Sequence, residues 1–140
     1  MATSYLTKTF GSSGDLDKWT LSMWVKRAAI GTNTSLYGVT AGADNERISF
    51  RSDDDIDWEN WQSSASKGKL LTNRKFRDPG AWYHLVFVYD SANVTPGDRM
   101  RMYINGVEEG STGGYATDTN PTSGQDSLIN NDYQQQIGAI

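Results

Sequence analysis

Apolar and polar residues alternate with a period of two along much of the chain, which predicts strands rather than helices. Tyr5 to Phe10 sets Leu6, Lys8 and Phe10 against Tyr5, Thr7 and Thr9, a plausible first strand. Trp19 to Arg27 (WTLSMWVKR) puts Leu21, Met23 and Val25 on one face. Ser35 to Val39 and Arg47 to Arg51 are shorter candidates on either side of a Gly42-Ala43-Asp44-Asn45 turn, with Ile48 and Phe50 facing inward. Trp82 to Tyr89 (WYHLVFVY) is apolar on both faces, the pattern of a central strand covered on both sides. The turn residues Arg77-Asp78-Pro79-Gly80 deliver it. Arg99 to Asn105 follows with Met100, Met102 and Ile104 inward, and Asn105-Gly106 reads as a two-residue hairpin turn. Gly, Ser, Thr, Asn and Asp dominate from Glu109 to Asp132, predicting long loops with little core, and Gln134 to Ile140 predicts the start of one more strand.

About seven strands joined by turn signals, with no 20–50-residue repeat and no interior linker, predict a single all-β domain over residues 1–140. A chain of 140 residues buries about two-thirds of its unfolded surface in one core. Trp24, Leu85, Phe87, Met102 and Ile104 are expected to point inward, and Trp19 and Trp82 are assigned to the core with them. His84, the one histidine, is expected to pack as a hydrogen-bonded core residue.

Charge and composition narrow the function. There are 13 Lys+Arg against 17 Asp+Glu, and the basic residues are scattered, which argues against nucleic-acid binding. No cysteine is present, so disulfides, thiolate zinc sites and a cysteine nucleophile are excluded. The N-terminal MATSYLTKTFGSSG has no apolar core of signal-peptide length, and no membrane-spanning segment is expected. A protein of this kind acting outside cells leaves by lysis, by another secretion route or as part of a particle. No Gly-x-Ser-x-Gly, phosphate loop or dinucleotide fingerprint occurs.

Three segments in order, WTLSMWVKR, AWYHLVFVYD and RMRMYINGVEE, resemble the laminin-G-like, concanavalin-A-like jelly-roll domains. With YLTKTFGS at the start and FRDPGAWYH in the middle, the chain is similar to proteins of tailed bacteriophages, particularly marine ones. The resemblance runs from Tyr5 to Ile140 and implies a jelly-roll-like antiparallel β-sandwich. Family members usually continue past the segment matching Ile137-Gly138-Ala139 into further strands. An incomplete sheet edge, covered by another chain or by a swapped strand, is therefore expected. The resemblance implies a virion surface or appendage protein, of tail-fibre or capsid type, made in the host cytoplasm and released by lysis. Its expected partners are other virion proteins, further copies of itself and host-surface glycans, without membrane insertion.

The most chemically suggestive stretch is SDDDIDWENW, residues 52–61. As a strand it places Asp55, Asp57 and Glu59 on one face and Ile56 and Trp58 on the other. Jelly-roll glycosidases carry Glu-x-Asp-x-(x)-Glu, and Asp55-Ile56-Asp57-Trp58-Glu59 matches with Asp in the first place. Retaining hydrolysis needs carboxyl groups ~5–5.5 Å apart, and the missing methylene withdraws the nucleophile. The expected protein is accordingly not an enzyme. Calcium is an optional ligand, for which Asp53, Asp55, Asp57 and Glu59 are candidates, with Asn60, Asp44 and Asp118 able to add oxygens. An ordinary solvated acidic loop is the competing reading. For glycan contact, Trp58 and Trp61 would supply ring faces, Asp57 and Asn60 would read hydroxyls, and Tyr115 is a further exposed aromatic candidate. The stretch is read as a contact loop. Adhesion to host glycans and a purely structural decoration role both remain open, with a glycoside hydrolase relative as a remote alternative.

Overall fold

The computed structural model describes residues 4–112 and 114–138. Among these residues eleven strands form two antiparallel sheets: β1 Leu6–Thr9, β2 Lys18–Lys26, β3 Thr34–Ala41, β4 Asp44–Phe50, β5 Ile56–Gln62, β6 Ala65–Thr72, β7 Trp82–Asp90, β8 Met100–Ile104, β9 Val107–Glu108, β10 Tyr115–Thr119 and β11 Gln134–Ile137. The larger sheet has the order β1-β11-β3-β4-β5-β6-β10 and the smaller the order β2-β7-β8-β9. The result is an all-β antiparallel sandwich, as the alternation implies, with one helical turn at Glu109–Thr112 and one 3-10 turn at Pro96–Asp98. No helix among the described residues is long and apolar enough to cross a membrane.

The core lies between the sheets because period-two alternation turns one face of each strand inward. The larger sheet contributes Ile48, Phe50, Ile56, Trp58 and Leu70, and the smaller Trp19, Leu85, Phe87, Met102 and Ile104. Trp58 is at the centre, its ring 5.4 Å from Trp19 and 5.6 Å from Phe87, centroid to centroid. The hairpin at Asn105-Gly106 forms as expected, both residues having positive φ (53° and 82°).

Several expectations need correcting. β6 fell in a stretch with no strand assigned to it, and SDDDIDWENW is a turn followed by β5 rather than a contact loop. Trp24 and Trp82 are exposed on the outer face of the smaller sheet. The reason is phase: Leu21, Met23 and Val25 point inward, so Trp24, one residue out of step, cannot. His84 lies on that same outer face, half-buried against Trp24, because β7 is covered on one side only.

A further correction concerns residues 109–132. Ser127, Leu128 and Ile129 are buried, and Glu46, itself fully buried, holds them. Glu46 Oε2 accepts from Ser127 Oγ at 2.6 Å and from the Leu128 amide at 2.8 Å, while Oε1 accepts from Trp58 Nε1 at 3.0 Å. Burial raises the Glu46 pKa, and these donors oppose that rise. A loop rich in polar residues is thereby locked onto the core by one carboxylate.

Candidate functional site

The acidic turn before β5 is a structural joint. Asp54 adopts φ 68° and its carboxylate is the hub. Oδ1 accepts from Arg27 Nη1 at 2.8 Å and from the Gly31 amide at 2.7 Å, and Oδ2 accepts from Arg77 Nε at 3.1 Å. The Gly31 amide bond is the main cause that lowers its pKa to about 2, with Arg77 and Arg27 adding to it against desolvation. Arg27 also donates to the Phe76 carbonyl and stacks over the Phe50 ring at 4.6 Å. Asp54 was not among the candidates; its signal was the count of carboxylates without any hint of which one turned inward.

The four calcium candidates do not converge. Asp55 lies in the turn, buried, 2.7 Å from Lys75 Nζ. Asp53 pairs with Arg51 at 3.6 Å. Asp57 and Glu59 share the outer face of β5, and both bind Lys69 Nζ, at 3.3 and 3.1 Å. Partial burial raises the Asp57 pKa, with Lys69 opposing the rise. Among the described residues no three His, Cys, Asp or Glu side chains stand where they could hold a metal ion. Each proposed ligand is already paired with a cation, and Asp55 does not join Asp57 and Glu59 on one open face.

The glycan candidates are also dispersed. Trp58 is fully buried and cannot offer a ring face to solvent. Asn60, on the same inward face, donates from Nδ2 to the Asp126 carbonyl at 3.2 Å. Tyr115 is half-buried, its hydroxyl accepting from the Met102 amide at 3.2 Å and its pKa pushed up to about 12 by burial. Trp61 alone of the expected aromatic pair faces outward. It sits at one end of the outer face of β5. At the other end Asp57 joins Asn33, Ser35, Arg47, Ser49 and Arg51 around a polar trough of about 340 Å³.

The aromatic surface that the sequence reading missed lies on the opposite side of the sandwich. Trp24 is 64% exposed and Trp82 59% exposed. The β2–β7 register places Trp24 opposite His84 and Lys26 opposite Trp82, so the tryptophans are diagonal neighbours on one face. The Trp24 ring stacks on His84, centroids 4.9 Å apart and planes inclined by 21°. His84 is tethered in turn by a 2.9 Å hydrogen bond between Nε2 and Ser22 Oγ. Tyr103, opposite Val86 on β8, continues this face. The signal was present in the two phases of WTLSMWVKR, one apolar and one carrying Thr20, Ser22, Trp24 and Lys26.

A laminin-G family model, described as the concanavalin A-like lectin/glucanases superfamily, matches residues 2–138. The chain belongs to that superfamily. No curated protein matches the sequence. Among solved structures, the mouse laminin alpha1 chain, domains LG4-5, superposes with a TM-score of 0.68 at 12% identity, covering 99% of this chain and 32% of that one. The likeness establishes a shared laminin-G-like jelly roll, and the chain spans about a third of the length of the laminin fragment. Lectin/glucanase-superfamily domains are commonly tied to carbohydrate binding or adhesion. Outward-facing groups among the described residues include the Trp24–His84–Trp82 surface, Trp61 and the polar trough beside Asp57.

Proposed function

We propose that this domain is a non-enzymatic adhesion module that binds glycans on the outer face of its smaller sheet. We further propose that many copies of it act together on a virion surface, as a tail-fibre or capsid appendage facing the host. One observation carries the reading: two tryptophans, Trp24 and Trp82, stand more than half exposed as neighbours on a single sheet face. Large aromatic surfaces left in water mark contact sites, and pyranose rings stack their apolar faces on indole. The stack on His84 restrains the Trp24 side chain before a ligand arrives, which lessens the entropy lost on binding. Ser22 and Lys26 supply nearby hydroxyl and ammonium groups. Single sites of this kind are weak, and repetition in a particle multiplies them through avidity. Asp55, in the first place of the glycosidase pattern, lies in the turn before β5 against Lys75 and away from Glu59 on the outer strand face, which supports the absence of hydrolysis.

A glycan array probed with the protein tests this. Binding should be lost in Trp24→Ala and Trp82→Ala and retained in Trp61→Ala. Loss in Trp61→Ala alone would move the site to the trough on the larger sheet. Silence across a broad array would favour the structural decoration reading, which the exposure of Leu6 and Ile137 at one margin of the larger sheet independently favours.

A further inference from the structure

The two sheets are unequal, and the mismatch is on one side. Across the larger sheet a single inward-facing row runs Ile48, Tyr37, Ile137, Leu6 through the β4–β3–β11–β1 pairings. Exposure rises along that row from 0% at Ile48 to 51% at Ile137 and 69% at Leu6. The residues face the interior of the sandwich, yet nothing among the described residues covers the last two. Among the described residues the smaller sheet stops at β2, whose far edge has no strand beside it. Between β2 and the β3–β11 pair lies a groove of about 290 Å³, to which Leu21, Met23, Val25, Tyr37 and Ile137 contribute.

A nine-residue strand edge beside an uncovered apolar ledge has one simple complement. A strand laid against β2 at a spacing of ~4.8 Å would satisfy its free amides and carbonyls. Its alternate side chains would descend onto Tyr37, Ile137 and Leu6. Charge selects the occupant. Lys18 and Lys26 close the two ends of β2 on its outer face. Lys18 has an ion pair with Asp90 at 3.3 Å, whereas Lys26 has none among the described residues. A second copy docking its own β2 antiparallel about Ser22 would set Lys18 against Lys26 at both ends, and like charges directly opposite are unfavourable.

We propose that the β2 edge and its ledge form a docking site for one extended strand of a partner protein, in which apolar residues alternate with carboxylates. The apolar side fills the groove, and the acidic side, which faces outward, meets Lys26 and Lys18. This is strand addition, in which the main chain supplies affinity and alternate side chains supply selectivity.

The test uses the full chain and two nine-residue synthetic peptides, one alternating valine and glutamate, the other valine and lysine. The valine–glutamate peptide should bind saturably in fluorescence anisotropy and slow hydrogen exchange of β2 amides. The valine–lysine peptide should bind at least tenfold more weakly. Ile137→Glu, a change at an exposed position, should leave the melting temperature unaltered and weaken the first peptide at least tenfold. Equal binding of both peptides, no binding of either, or protection away from β2 would overturn the proposal. So would a concentration-dependent dimer in sedimentation that excludes the peptide, since that result assigns the edge to a second copy.

Discussion

Arg27 Nη1 donates to Asp54 Oδ1 at 2.8 Å, and both side chains are buried. This bond ties the end of β2 to the turn that launches β5. The Asp54 carboxyl titrates at about 2 when folded, below its ordinary 3.8. A depressed carboxyl contributes stability that is complete above the unfolded value and is lost as pH falls through the folded one. Thermal melts should therefore show this part of the stability lost as pH falls from roughly 4 toward 2. Asp54→Asn should be less stable at neutral pH and flatter over that acid range; an equally steep acid loss in the variant would refute the assignment.

Glu46 titrates in the opposite sense. Its pKa is raised by burial, so the folded state holds this proton more tightly than the unfolded chain does. That contribution is complete below the ordinary carboxylate range and declines as pH rises through the raised folded value. Glu46→Gln should remove this decline in urea titrations at successive pH values. It should also cost about 1–3 kcal/mol, because its amide turns a donor toward groups that are themselves donors.

The two tryptophans of the acidic stretch should separate cleanly in chemical denaturation. Trp58→Ala empties the centre of the core and should cost about 3–5 kcal/mol. Trp61→Ala, outward-facing and 36% exposed, should cost about 1 kcal/mol, well below the Trp58 variant.

Gly68 marks a close approach between β6 and the loop at Pro121. A Cβ there would lie 2.6 Å from Met100 Sδ and 3.2 Å from Pro121 Cδ. Gly68→Ala should lower stability by about 1–3 kcal/mol through overpacking, read from the urea midpoint.

Added calcium, or a chelator, should leave the melting temperature of the wild-type protein unchanged, because Lys75, Lys69 and Arg51 already compensate the acidic cluster. A rise in melting temperature with calcium alone would restore the metal site.

Period-two patterning made the strands legible, and it placed Leu21, Met23, Val25, Ile48, Phe50, Met102 and Ile104 on the correct faces. Local chemistry was equally clear at Asn105-Gly106, where both residues tolerate the left-handed region the hairpin turn requires. These features depend only on neighbours in the chain. The partners of the acidic stretch do not: Asp54 meets Arg27 across 27 residues, and Glu46 meets Ser127 across 81. No spacing rule reveals such contacts.

Which apolar residues reach solvent was also decided above the level of sequence. Trp58 and Trp24 both sit in alternating strands, yet the first is enclosed by a facing sheet and the second points to the side with none. Alternation establishes that a strand has two faces. Only the stacking of the sheets determines which face is covered, and with it the burial of Trp58, the exposure of Trp24 and Trp82, and the ledge beyond β2. The physical reason is that burial belongs to the opposing layer, and that layer is assembled from residues remote in sequence.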